Sequence, residues 1–368
     1  METEVPLVAG VAGPAPGPGG WLWAHGGAAG QHPPLTPGDW LTTWTFDPWL
    51  AVFVAVVAGL YLMGVRRLRE RGDRWPVWRS LCFLGLGLGS IVVATQSVLA
   101  VYDDVLVTPH MIQHMILAML APIFLALGAP LTLALRTLPR RPRGWLVRLL
   151  HSRVAKVVAF PVVGGMLFVL TPFVLYFTGW YEASLRSLYL HEVLHLHFLL
   201  VGCLWFWPLL GLDPVPGRLP YPLRLLATFT TMPFHAFLGI TIMGGNLLAE
   251  EYYVGLARTW GPSLVDDQRT AGGLLWAGGD LVAFMVMAVL FVQWVQASER
   301  EAAREDRRLD MLERAGQREG ERGGRTGLEQ ASGADRDQAN LPGREQSTRQ
   351  DAASDVPRGV PGRPAVRG

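Results

Sequence analysis

Apolar runs of roughly 20 residues recur along this chain, and each is long enough to cross a hydrocarbon core of about 30 Å. They lie near residues 49–65, 80–101, 110–135, 155–178, 188–211, 223–248 and 272–296. Lipid offers the backbone no hydrogen-bond partners, so only helices and closed barrels span it. These runs are too long and too uniformly apolar for barrel strands. The charged fraction is 17%, against about a quarter in a soluble domain of this size. The sequence therefore predicts an all-α fold, a polytopic membrane bundle of seven transmembrane helices.

Basic residues are placed unevenly. The connectors 66–79 and 136–156 are strongly basic, and Arg218 and Arg224 mark a third. The alternate connectors hold few positive charges, and none precedes the first run. Cytoplasmic loops carry the excess of Lys and Arg, which predicts N-out and C-in in a bacterial plasma membrane. Residues 1–45 read as a flexible extracytoplasmic segment, 46–297 as the transmembrane domain and 298–368 as a charged cytoplasmic tail. The first 20 or so residues of that tail are expected to extend the last helix. The remainder has too few apolar residues to offset ordering entropy and is expected to be disordered. No nucleic-acid motif is present, membrane lipid is the surrounding partner, and Cys82 and Cys203 read as small buried hydrophobes.

The third run opens with PHMIQHMILAML, where His110 and His114 stack on one helix face and Met111 and Met115 on an adjoining stripe. The fifth opens with HEVLHLHF, where His191 and His195 share a face and His197 points roughly the other way. Under the predicted topology both helices enter from outside. A rise of 1.5 Å per residue puts His114 and His195 roughly 6 to 10 Å deep, with His235 near the middle and Asp280 about 12 Å deep. These four are expected to converge within one layer, and ionisable groups in lipid usually face the bundle interior and act there. Imidazole with thioether suits Cu(I), while imidazole with carboxylate suits zinc or iron. Met232 and Met243 accompany the histidines, although methionine is also ordinary core. The candidate metal ligands are thus His110, His114, Met115, His191, His195 and His235, against a plain reading as hydrogen-bonded structural histidines.

His191, Glu192 and His195 spell H-E-x-x-H, a zinc-protease pattern, but no third ligand or peptide-binding strand accompanies it. Glu192 is better read as orienting a ligating histidine. His197 stays open as a helper of a neighbouring helix. Asp280 stays open as a proton site, a ligand or a packing hydrogen-bonder. Asp103 and Asp104 read as acids at the outer mouth, and His25, His32 and His151 as loop residues.

The blocks HMIQHMILAMLAPIFLALGAPL, HEVLHLHFLLVGCLWFWPLLGLDPVP, MPFHAFLGITIM and DQRTAGGLLWAGGDL, in that order, resemble the CtaG family of cytochrome c oxidase assembly proteins over roughly Phe46 to Trp294. The resemblance implies a non-enzymatic membrane factor for maturation of a haem-copper oxidase, acting in copper delivery. It implies an oxidase subunit as recipient and a copper-donor protein on the extracytoplasmic side. It also implies that His110, His114, His191, His195 and His235 are the family's recurring membrane histidines. Related chains fuse this domain to a CopD-like copper-resistance domain, and no second membrane domain is expected in this sequence. Two further readings stay open, a haem-binding membrane redox protein and a copper permease.

Overall fold

A computed structural model describes residues 32–339 of the chain, with side chains described as far as Glu319. Residues 1–31, with His25 and most of the segment expected to be flexible, lie outside the described residues, as does the tail after Ala339. No strand occurs among the described residues. By its contacts the chain divides after Ala297 into two units.

In the first unit, helix α1 (Pro48–Glu70) starts where Asp47 accepts hydrogen bonds from the backbone N–H groups of Trp49 and Leu50, with Pro48 in the first turn. Helix α2 (Val77–Gln96) is π-helical over Leu81–Leu88. It stops short of the expected residue 101 because Ser97 is extended and bridges to Trp44. The Ser97 hydroxyl then caps a separate helix, Val98–Tyr102. Helix α3 (Val107–Thr137) contains a π-helical stretch at Ile116–Leu120 and a break at Ala129, whose φ is 47°.

The fourth apolar run departs from expectation. Arg153–Val158 is a separate helix, and α4 (Pro161–Phe177) begins only at Pro161, because proline has no N–H to continue an existing helix. The chain then bends by 73° into α5 (Trp180–Arg186). Helices α6 (Leu188–Leu210), α7 (Tyr221–Gly244), the short α8 (Glu250–Gly255) and α9 (Leu264–Ala339) follow. Among the described residues six helices, α1, α2, α3, α6, α7 and α9, are long and apolar enough to cross a membrane, and the bent pair α4 and α5 makes a seventh if it is one crossing. Their outward faces are apolar, as lipid requires: Trp49, Val52, Val56 and Leu60 form an exposed stripe on α1. The polar side chains His110, Gln113, His114, His191 and His195 are buried instead.

Helices α3 and α6 run in the same direction, side by side. His110 faces His191, and His114 faces His195. Further along, Gly202 lies against the α3 backbone. A Cβ at Gly202 would collide with the Ala118 carbonyl and come within 2.6 Å of the Pro122 ring. Only glycine permits that approach, and it fixes how close the two histidine pairs sit. Gly202→Ala is expected to cost roughly 1–3 kcal/mol, read as a lower thermal midpoint in detergent.

Both segments of α3 are capped at their N-termini by carboxylates from distant parts of the chain. Asp267 on α9 accepts from the N–H groups of Val107 (2.7 Å) and Thr108 (3.1 Å). Asp213 accepts from Leu131 and Thr132, where the helix restarts at Pro130, and from the Trp207 indole. Neither segment start has a local side-chain cap.

Beyond Ala297, in the second unit, the helix continues to Ala339, further than the expected extension. The segment is rich in Ala, Glu and Arg, which favour helix, and Arg308 pairs with Glu305 at 3.3 Å.

Candidate metal centre

Helical spacing puts His110 above His114 on α3, with ring centroids 4.1 Å apart, and His191 above His195 on α6, at 4.4 Å. Because the two helices are parallel and in register, the pairs meet. The rings of His110 and His191 stack at 5.1 Å, and His114 lies 5.7 Å from His195. One potential ligand atom from each of His110, His114 and His191 lies within 4.8 Å of the others. A second such group joins Asp103, His191 and His195. Donors around an ion bound at about 2.0–2.1 Å sit roughly 3.3–4 Å apart, so side-chain adjustments of about 1 Å would be needed to close the cluster on an ion.

Hydrogen bonds set which nitrogen of each ring is available. His110 Nδ1 lies 3.2 Å from the Asp103 carbonyl, which only accepts, so Nδ1 carries the proton and Nε2 keeps its lone pair. His114 Nδ1 lies 3.3 Å from the Tyr176 hydroxyl, which itself donates to the Met111 sulfur at 3.5 Å. The phenol oxygen is thus left to accept from His114 Nδ1–H, and Nε2 again keeps its lone pair. The Nε2 atoms of His110, His114 and His195 are buried and have no hydrogen-bond partner. An orphaned imidazole nitrogen in a dry core is costly unless something occupies it. Ligand imidazoles held through their other nitrogen are the usual arrangement in metal sites.

Asp103 is the residue that the sequence reading missed. Read as a solvated acid at the mouth, it is fully buried, with Oδ2 4.0 Å from His191 Nε2. The break at Ser97 folds the following segment over the histidines and carries Asp103 inward. Burial first, and then the charge of Asp104, holds its carboxyl well above the usual carboxylate range. A cation in the cluster would offset that cost. Tyr176 and Tyr181 close the other walls, the latter with its ring 5.0 Å from His110 and its hydroxyl 2.8 Å from that of Tyr253. Neither tyrosine stands out in an apolar run.

The remaining candidates are placed as follows. Glu192 Oε2 lies 3.7 Å from His195 Nδ1, on the half-exposed rim. His235 is outside the cluster: its Nδ1 faces the Thr231 carbonyl at 3.0 Å, and it lines a cavity shared with His114, Met111 and Met115. Asp280 interacts electrostatically with His235. Of the four residues expected to share one layer, His114 and His195 belong to the cluster groups, whereas His235 meets His114 only across that cavity, with Asp280 beside it. Met115 packs toward Gly278 on α9. His197 points away, exposed, with Nε2 3.1 Å from the Thr171 hydroxyl. Met243 packs against Gly272, and His32 lies 3.9 Å from Asp104. His151 is exposed and faces its own helix carbonyl at Val147. Cys82 and Cys203 are free.

The family model described as cytochrome c oxidase caa3 assembly factor matches residues 59–297. Uncharacterised proteins of Mycobacterium bovis and Mycobacterium tuberculosis are each 40% identical over 278 residues, and one of Mycobacterium leprae is 37% identical over 278. Each alignment takes in 73% of this chain and 42% of the relative, so the chain spans less than half the length of these proteins. No solved structure matches. The matched segment contains every histidine of the cluster and most of the described helices, and the chain belongs to the cytochrome c oxidase caa3 assembly factor family.

Proposed function

We propose that this chain is a non-enzymatic assembly factor of a bacterial plasma membrane that binds copper at His110, His114 and His191, with Asp103 and His195 alongside, and passes it to an oxidase subunit. The observation that carries the reading is the convergence of three imidazoles from two parallel helices, with potential ligand atoms within 4.8 Å of one another. The orphaned Nε2 atoms of His110, His114 and His195 supply the fit test, since these lone pairs are buried where an ion or a proton could use them. Imidazole and carboxylate donors accept copper or zinc. Family membership favours copper, because the oxidase that the resemblance implies is of the haem-copper type.

Transfer by ligand exchange needs firm donors and replaceable ones. Three histidines provide the first, and Asp103 and His195, at the edge of the group, provide the second. Sidedness follows from charge. Helix α3 carries His110 near its start and Arg136 near its end, about 40 Å away along the axis. At that far end Arg71 donates to the Arg136 carbonyl and Arg136 pairs with Asp73 at 3.3 Å, joining two basic connectors. The positive-inside rule makes that end cytoplasmic and the histidine end extracytoplasmic, facing a copper donor. A bound haem fits less well, because ring centroids only 4.1 to 6.1 Å apart leave no slot for a porphyrin between them.

Cells carrying His114→Ala/His195→Ala in place of the native chain are expected to assemble little active oxidase at limiting copper, with recovery when copper is raised. Full oxidase activity at limiting copper contradicts the proposal. A Soret band in the purified protein would favour the haem reading instead.

A further inference from the structure

Below the histidine cluster, toward the middle of the bundle, lies a small cavity of about 30 Å³. That is room for one water-sized occupant. Met111, Met115 and Met119 line it from α3, His114 roofs it, and His235 and Phe168 border it from α7 and α4. The methionines recur every four residues, so they share one face of α3. His235 Nδ1 faces the Thr231 carbonyl at 3.0 Å and so carries the proton, which makes Nε2 its lone-pair atom.

Helix α9 is shaped to this place by three consecutive residues. A Cβ at Gly278 would lie 2.7 Å from the Met115 methyl, and one at Gly279 would lie 3.4 Å from the His235 ring. Next in sequence, Asp280 interacts electrostatically with His235, and its Oδ1 is buried without a hydrogen-bond partner. An ordinary apolar core would need neither the glycine pair nor a carboxylate here.

We infer that this cavity is a second metal position, distinct from the histidine cluster, which takes Cu(I) between the thioethers of Met115 and Met119 and the imidazole of His235. Thioether and imidazole are soft, neutral donors that select Cu(I) over harder ions. Met111 is less available, because its sulfur accepts the Tyr176 hydroxyl. Asp280 supplies the negative charge that a monovalent cation requires in a dry interior. His114 belongs to both places, as a member of the cluster and as a lining residue of the cavity, so an ion can pass between them by ligand exchange without changing oxidation state. The inference rests on the copper reading above and adds a deeper, sulfur-containing position to it.

The test is anaerobic Cu(I) loading of the detergent-purified full chain against a chromogenic chelator, with copper-edge X-ray absorption of the loaded protein. Met115→Leu/Met119→Leu conserves volume and should leave the fold intact. It is expected to hold one copper fewer per chain than the wild type and to lose sulfur scattering around the metal. His110→Ala/His191→Ala should also lose one copper but keep the sulfur signal. Selenomethionine-labelled wild type should show selenium in the copper shell, a readout that needs no variant. Unchanged copper content and sulfur scattering in the leucine variant would overturn the inference, as would a wild type whose copper sees no sulfur or selenium. Loss of the sulfur-bound copper alone in the leucine variant, with copper content undiminished in the alanine variant, would uphold this position and count against the histidine cluster.

Discussion

His110→Ala/His191→Ala is expected to lower copper affinity at the proposed histidine site by at least about 100-fold, since even the groups that merely orient a metal ligand are worth 10–100-fold. Competition titration of wild type and variant measures it, with the thermal midpoint recorded alongside. The effect is large because the substitutions remove one donor from each helix. His110 and His191 are the stacked pair at 5.1 Å, and among the described residues no other group of three His, Cys, Asp or Glu ligand atoms remains as compact. His114 and His195 are left, with ring centroids 5.7 Å apart. The fold itself should survive. Removing the buried His110 imidazole, whose Nε2 has no hydrogen-bond partner, relieves a desolvation cost, which offsets part of the packing lost. A thermal midpoint that falls little while copper is lost separates a binding role from a structural one.

Asp267→Ala has the opposite signature. Its side chain is buried and receives two backbone N–H groups from the first turn of the helix that carries His110 and His114. Removal leaves both donors buried without an acceptor, at about 1–3 kcal/mol each, so a total of roughly 2–4 kcal/mol is expected after partial rehydration. Thermal unfolding in detergent reads this as a clear fall in midpoint. Asp267→Asn keeps one acceptor oxygen and should recover part of the loss. An alanine variant as stable as the wild type would mean that the N-terminus of α3 is held by other means.

Part of this molecule is legible in the sequence, and the divide follows the range of the interactions. The pairings of His110 with His114 and of His191 with His195 are fixed by helical spacing alone. That the pairs enter at one end follows from counting crossings between them. What escapes the sequence is set by contacts between distant segments. Asp103 reads as loop acid until the Ser97 break carries it into the core. Asp213 and Asp267 look like loop and helix-start residues, yet they cap helix segments 82 and 160 residues away. His235 stands out as an ionisable group in an apolar run. Its separation from the cluster depends on how α7 and α9 pack, which no local pattern encodes. The late start of α4 has a local sign in Pro161, which the apolar stretch on either side of it masks.

The central claim is that histidines from α3 and α6 share one ion. Its most direct test is copper-edge X-ray absorption on wild-type protein that has been copper-loaded and desalted, beside His110→Ala/His191→Ala. The account predicts retained copper with the multiple-scattering pattern of more than one imidazole, and loss of that pattern in the variant. Wild-type protein that retains no copper, or an imidazole pattern that persists undiminished in the variant, would contradict it.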